Sequence, residues 1–343
     1  MKKKIIIIIV SLITLVLILV GAYFYGLTSV KKESDSVTFN ITKGESARTI
    51  INNLYDGKII RSKISSLIYL KLNKNLSFKP GEYTLDRSKD TKSIFDTLNY
   101  GTTEETIRVT FIEGKRIPDY IDTISKNFGY TKEEILKVWN NEEYLNKLIK
   151  EYDFISKDIL NSDIYYPLEG YLYPATYEYF KTASIEDITK KMLDKMASVI
   201  DNYSDAIKKS GYSTHQILTM ASIIENETKF DEDRKKVSQV IYKRLNTNTS
   251  LGMDVTTYYA EQKSFKESLT KEELNKYNAY NTRNTKFLGL PVGPISNPRK
   301  ECIEAALSPS STDYFYFYAD IKTGKLYFAK TESEFKELIR IYG

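Results

Sequence analysis

A chain of 343 residues, 41% of them hydrophobic, has enough material for one large buried core or two modest ones. Its 50 Lys and Arg against 45 Asp and Glu leave a net charge of only +5, part of it in Lys2, Lys3 and Lys4, which gives nucleic-acid binding no support. One cysteine, Cys302, and one histidine, His215, exclude an internal disulfide and a usual zinc ligand set and weaken Ser-His-Asp or Cys-His chemistry. No metal and no cofactor is therefore expected, and carboxylates are the candidate catalysts.

Residues 5–27 hold no charged side chain and are mostly Ile, Leu and Val, long enough to cross a hydrocarbon core of roughly 30 Å. The run exceeds the apolar stretch of a cleaved signal peptide, about 7–15 residues, and Ala22-Tyr23-Phe24-Tyr25 lacks a small-residue cleavage pattern. Residues 1–30 are thus predicted to be a cytoplasmic tip and transmembrane anchor, with everything after it outside the cell membrane. Lys31 and Lys32 on the far side weaken the charge bias behind that orientation.

Residues 31–36 read as a polar spacer. A strand is predicted at 37–41, a helix capped by Ser46 to residue 54, a second helix at 64–72, a strand at 82–85 after Pro80-Gly81, a helix at 93–98 and a strand at 106–112. Together they make a small α+β module over 37–113. From 114 to 343 the pattern is mainly helical, clearest at 117–128, 132–139, 185–200, 213–227 and 234–245. It ends in a β-hairpin of 314–318 and 325–328 around Lys322-Thr323-Gly324 and a short helix from Glu332. The fold class is α+β.

The segment most informative about chemistry is Ala221-Ser222-Ile223-Ile224-Glu225-Asn226-Glu227-Thr228, which sets acids directly after an apolar helix. A carboxyl at the edge of an apolar environment has its neutral form favoured, as a general acid requires. Glu225 follows Leu218, Ala221 and Ser222 on one face, and Glu227 follows Met220, Ile223 and Ile224 on another, so periodicity does not choose between them. Two acids solvated at a helix end is the plainer reading.

That segment resembles the catalytic helix of the endolytic murein transglycosylase (MltG, YceG-like) family, A-S-I-I/V-E-x-E-T/A. Three more matches follow the family's pattern: Leu168-Glu169-Gly170-Tyr171-Leu172-Tyr173-Pro174-Ala175-Thr176-Tyr177, Leu251-Gly252-Met253-Asp254-Val255-Thr256-Thr257, and Tyr280-Asn281-Thr282 with the Gly289 to Pro298 segment. Ala175 stands where the family commonly has Asp, and Val292 where it has Pro. The resemblance runs from about Val37 to the C-terminus. It implies a single anchor, a small LysM-like module and a catalytic domain over 114–343 that cleaves peptidoglycan glycan strands between N-acetylmuramic acid and N-acetylglucosamine, with Glu225 as catalytic residue and a 1,6-anhydro end as product. Termination of nascent strands, with peptidoglycan synthases and divisome or elongation proteins as partners, would be its setting.

For the other motif residues, two readings stay open. Glu169 lies among Tyr166, Tyr171 and Tyr173, a composition suited to stacking on sugars while a carboxylate accepts hydroxyl hydrogen bonds, or it is a buried structural acid. Asn226 and Glu227 adjoin Glu225. Asp254 with Thr256, Tyr280, Asn281 with Thr282, and Asn297 would line a cleft and contact glycan, or cap loops. A membrane-anchored glycan-binding scaffold and a hydrolytic muramidase are the competing functions.

Overall fold

The computed structural model describes residues 2–101, 106–320 and 323–343, with side chains from residue 10 onward in the first helix. Two units, Met1–Glu105 and Thr106–Gly343, each carry their own core.

In the first unit α1 (Lys2–Gly26) is followed by β1 (Ser36–Ile41), α2 (Ala47–Asp56), α3 (Lys63–Leu72), β2 (Gly81–Asp86) and α4 (Thr91–Tyr100). The strands pair antiparallel, Val37 opposite Leu85 and Phe39 opposite Tyr83. Ser46, Ser62 and Asp90 cap the three short helices by accepting from the N–H groups of Thr49, Ser65 and Ser93, each cap contributing about 1 kcal/mol. Ile50, Ile51, Leu54, Phe95 and Leu98 fill the core with Tyr83 and Leu85.

Among the described residues no helix is long and apolar enough to cross a membrane. Part of the predicted span, residues 5–9, lies outside the described side chains, and the remainder of α1 is shorter than the ~20 residues a crossing helix needs. That remainder leaves Leu12, Leu15, Leu17, Ile18 and Leu19 exposed. The predicted spacer is not a free tether. Asp86 accepts from the Asp35 N–H at 3.0 Å and the Ser34 hydroxyl at 2.8 Å, Arg87 donates to Asp35 at 3.0 Å, and the Lys31 N–H donates to the Arg87 carbonyl at 3.0 Å.

The strand expected to close the small module belongs elsewhere. β3 (Thr106–Thr110) pairs antiparallel with β4 (Thr176–Phe180), Val109 opposite Tyr177, inside the second unit. Its alternation shows that a strand forms but not which partner it takes. The second unit continues with α5 (Ile117–Phe128), α6 (Lys132–Trp139), α7 (Glu142–Glu151) and a 3-10 turn (Lys157–Leu160) before β4. After it come α8 (Ile185–Asp201), α9 (Ser204–Ser210), α10 (Thr214–Glu227), α11 (Asp231–Asn246), α12 (Asp254–Ala260), α13 (Lys271–Asn275) and α14 (Lys300–Leu307). A hairpin of β5 (Tyr316–Ala319) and β6 (Leu326–Ala329) and a final helix α15 (Glu332–Tyr342) complete it. Lys322 of the predicted turn lies outside the described residues. The helices α7, α9, α12, α13 and α14, each ten residues or fewer, have no counterpart among the predicted elements.

The centre of this unit is α10. Ser213 and Gln216 form a capping box at its start, and every residue from 217 to 224 is buried. α11, α12 and α14 pack around it, and burying Leu218, Ile223 and Ile224 contributes roughly 1.5–3 kcal/mol each.

Candidate active site

At its C-terminal end α10 turns extended at Thr228, and its last turn carries Glu225 and Glu227 with no basic residue. Acids there oppose the helix dipole by roughly 0.3–1 kcal/mol, so each needs partners from distant segments.

Glu225 finds them in Arg299, the N-cap residue of α14. The Arg299 backbone N–H donates to Oε2 at 2.9 Å, its Nε to Oε1 at 2.9 Å and Oε2 at 3.1 Å, and its Nη2 lies 2.9 Å from Oε1. The Glu225 side chain is 4% exposed and that of Arg299 36%. Although burial works against the guanidinium's charge, its hydrogen bonds to Glu225 hold the Arg299 pKa above the ordinary value. Behind the pair sits Cys302, its thiol pushed far up by burial and then by the charge of Glu225. Gly114 closes the other side: a Cβ there would stand 3.2 Å from the Glu225 Cγ, at a φ of +70° that disfavours any side chain. The expected apolar edge is thus corrected to an ion-paired pocket, because Arg299 arrives from a segment that α10's own sequence does not reveal.

Glu227 leaves the helix two residues on, about 200° around. Burial first, then the charge of Asp254, pushes its carboxyl up to about 8, against Arg244 and Arg283. Its Oε1 is buried without a hydrogen-bond partner. Asp254, at the start of α12, is exposed and pairs with Arg283 at 3.2 Å.

Glu169 is 1% exposed, which corrects the ligand-facing reading. It accepts from the Ile117 N–H at 3.1 Å on both oxygens, from Asn297 Nδ2 at 3.1 Å and from the Tyr259 hydroxyl at 3.2 Å, joining α5, α12 and the loop before α14. Burial pushes its carboxyl up to about 8, and the Tyr259 hydroxyl can turn to accept the proton. Asn297, fully buried, is the knot of the same region. Its Oδ1 accepts from the Gly170 and Leu172 N–H groups at 3.0 and 3.2 Å, its Nδ2 also donates to the Lys115 carbonyl at 3.2 Å, and its carbonyl accepts from Gly114. Gly170 must be glycine there: a Cβ would meet the Pro294 Cβ at 2.3 Å, at a φ of +83°.

Thr256, Tyr280, Asn281 and Thr282 are likewise enclosed rather than facing a ligand. Thr256 and Thr282 share a hydroxyl contact at 2.8 Å. Asn281 donates to the carbonyls of Glu273 and Lys276 at 2.9 and 2.7 Å and accepts from Thr257 at 2.7 Å, clamping the loop after α13. Tyr280 packs its ring 4.7 Å from Tyr259 and 5.0 Å from Tyr165. The polar atoms of Thr256, Asn281 and Thr282 are used up by loop backbone and neighbouring hydroxyls, the capping alternative that their residue types left open, whereas the Tyr280 hydroxyl is buried without a hydrogen-bond partner.

The structure therefore brings four segments distant in the chain around Glu225. Asn226 donates to Ser296 at 2.6 Å and to the Ser222 carbonyl at 2.9 Å, locking the end of α10 to the segment before Arg299. Tyr173 is half-buried, its phenol pushed up by burial and then by Glu301 and Glu113. Arg299, Gly114 and exposed Glu113, whose charge also acts on Arg299, are the neighbours that sequence reading missed. Only the position of Gly114 at the head of the helical region hinted at one of them.

Residues 39–341 match the YceG-like family, and the chain belongs to it. An endolytic murein transglycosylase of Bacillus subtilis (strain 168) is 36% identical over 325 residues, covering 93% of this chain and 89% of that protein. One from Streptococcus pneumoniae (serotype 2, strain D39) is 28% identical over 349 residues, covering 94% of this chain and 62% of that longer protein. The crystal structure of a YceG-like protein from Listeria monocytogenes superposes with a TM-score of 0.64 at 36% identity, over 89% of this chain and all of that one.

Proposed function

We propose that the protein is an endolytic lytic transglycosylase acting on peptidoglycan glycan strands, with Glu225 as its single acid and base. The observation that carries this is the position of Glu225: the one carboxylate of the central helix around which the family's motif segments converge, held by the Arg299 backbone N–H at 2.9 Å. Its proton goes to the oxygen linking N-acetylmuramic acid to N-acetylglucosamine as the C1–O bond breaks. The muramic acid 6-hydroxyl then closes on C1 and returns its proton to Glu225, leaving a 1,6-anhydro end and consuming no water. One residue suffices because the two proton transfers happen in turn at one place, and Glu227 points to the opposite side of the helix.

Exposed Glu113, next to Gly114, favours one second reading: a muramidase that uses it to activate water, since hydrolysis needs a second carboxylate. Mass spectrometry of the fragments released from glycan strands decides between them. Anhydro ends from the wild type and none from Glu225→Gln support the transglycosylase; reducing ends support hydrolysis. Intact strands with both proteins would remove the enzyme reading and leave a glycan-binding scaffold.

In this reading the exposed apolar run of α1, continued by residues 5–9, is the membrane anchor, with the N-terminus cytoplasmic and the remaining chain outside. The first unit, two strands flanking two helices, is a LysM-like module that binds glycan or sets the height of cleavage beside peptidoglycan synthases. When the full-length chain is expressed, recovery from the medium of a form cleaved after α1 would sink the anchor.

A further inference from the structure

Glu225 is closed off by its partners as it stands. Its two oxygens are both engaged by the backbone N–H, Nε (shared between them) and Nη2 of Arg299, and the Cys302 thiol bonds to the same carboxylate. Each Arg299 group is an N–H donor that cannot turn to accept, unlike the Tyr259 hydroxyl beside Glu169. With the side chain 4% exposed, no substrate oxygen can approach it either. Something must leave before the chemistry starts. Gly114 and Cys302 are fixed by the packing around them, whereas the Arg299 side chain is the exposed member.

We propose that Arg299 is a latch on Glu225, released when its guanidinium exchanges that carboxylate for one on the substrate, so that Arg299 binds the anionic group beside the bond to be cut. This rests on the peptidoglycan reading above, since muramic acid carries a carboxyl on its lactyl group or through the peptide built on it. The exchange keeps a guanidinium–carboxylate fork on both sides of the step and leaves no charge unpaired. It also leaves Glu225 aligned: the Arg299 backbone N–H, which cannot swing away, still holds Oε2, while Oε1 is freed to take up a proton and face the glycan. Arg299 is thus a positioning residue for Glu225 as well as a specificity determinant. A strand whose carboxyls are blocked would leave the latch shut.

The test uses N-acetylmuramic acid, which contains no glycosidic bond to cleave, titrated calorimetrically into the wild type, Glu225→Gln, Arg299→Gln and the double variant. Removing the competing carboxylate should make Glu225→Gln bind about tenfold more tightly than the wild type. Glu225→Gln should add nothing once Arg299→Gln is present, a coupling that a merely structural role would not give. The carboxamide of the same sugar should bind all four alike. Arg299→Lys, with a melting curve as control, should keep part of the coupling if Arg299→Gln folds poorly. Equal affinities across the cycle, or no measurable binding by Glu225→Gln, would overturn the latch. Failure of the two readings is separable: coupling without anhydro products removes the enzyme and keeps the latch, and anhydro products with a flat cycle do the reverse.

Discussion

Glu225 and Glu227 leave the same helix end two residues apart and meet opposite surroundings. Glu225 has both oxygens held by one arginine. Glu227 has an oxygen with no partner and a carboxyl pushed up to about 8 by burial. A raised value in an apolar setting is the usual mark of a general acid, yet here it belongs to the residue that faces α12 and away from the knotted loops. The difference teaches that a carboxyl's ease of carrying a proton and its placement among the motif segments are separate properties, and in the proposed reading the second decides which acid is useful.

Exchanging the two roles is the sharpest way to break that comparison. Glu225→Gln keeps the shape and the melting temperature and should lose about 10²- to 10⁴-fold in cleavage rate, read from fragment release. Glu227→Gln should stay within a few-fold of the wild type in the same assay; the reverse order would move the catalytic role to Glu227. A smaller effect sharpens the Glu225 side alone. Gly114→Ala places a methyl 3.2 Å from the Glu225 Cγ at a positive φ, so it should lower stability by about 1–2 kcal/mol and lower kcat by displacing Glu225, with Glu227 untouched. A melting curve and a rate constant together check it.

A further effect belongs to Glu227 and is one of pH. Its carboxyl binds its proton more tightly folded, at about 8, than unfolded, at the ordinary 4.5. Between those values the native state holds more protons than the unfolded one, so its contribution is fully present below 4.5 and is lost as pH rises to 8. The slope is at most about 1.4 kcal/mol per pH unit. Glu227→Gln should flatten the fall in melting temperature over that window, and Glu169, raised to about 8 as well, should account for what remains. An unchanged slope in Glu227→Gln would mean that Glu227 is ionised in the folded protein.

Much of this was legible in the sequence. The bounds of α5 and α6 agree with the helical pattern read from the sequence, and α10 starts within a residue of its expected place. The choice between Glu225 and Glu227 was not legible from periodicity, because α10 is buried on every face and no stripe singles out a side. What separates them, Arg299 on one side and Asp254 with Arg244 and Arg283 on the other, comes from other segments. Glu169, Tyr280, Asn281, Thr282 and Asn297 were recognisable as special, but their residue types serve equally for binding sugar and for tying loops, and only their burial distinguishes the two. For the strand at 106–110 the alternation was visible, and its partner, beyond α5, α6 and α7, was not.

The bonds made by Asn297 reach across 125 to 182 residues of chain, and this has a consequence for how the protein is made. During synthesis the segments carrying Gly114, Glu169 and Glu225 emerge first and have nothing to close on. Contacts of such sequence separation form late in folding, and these cannot form until the residues after Asn297 have left the ribosome. On the proposed reading, a growing chain that has already exposed Glu225 is inert, and the site around it closes only after the segment through Asn297 has been made.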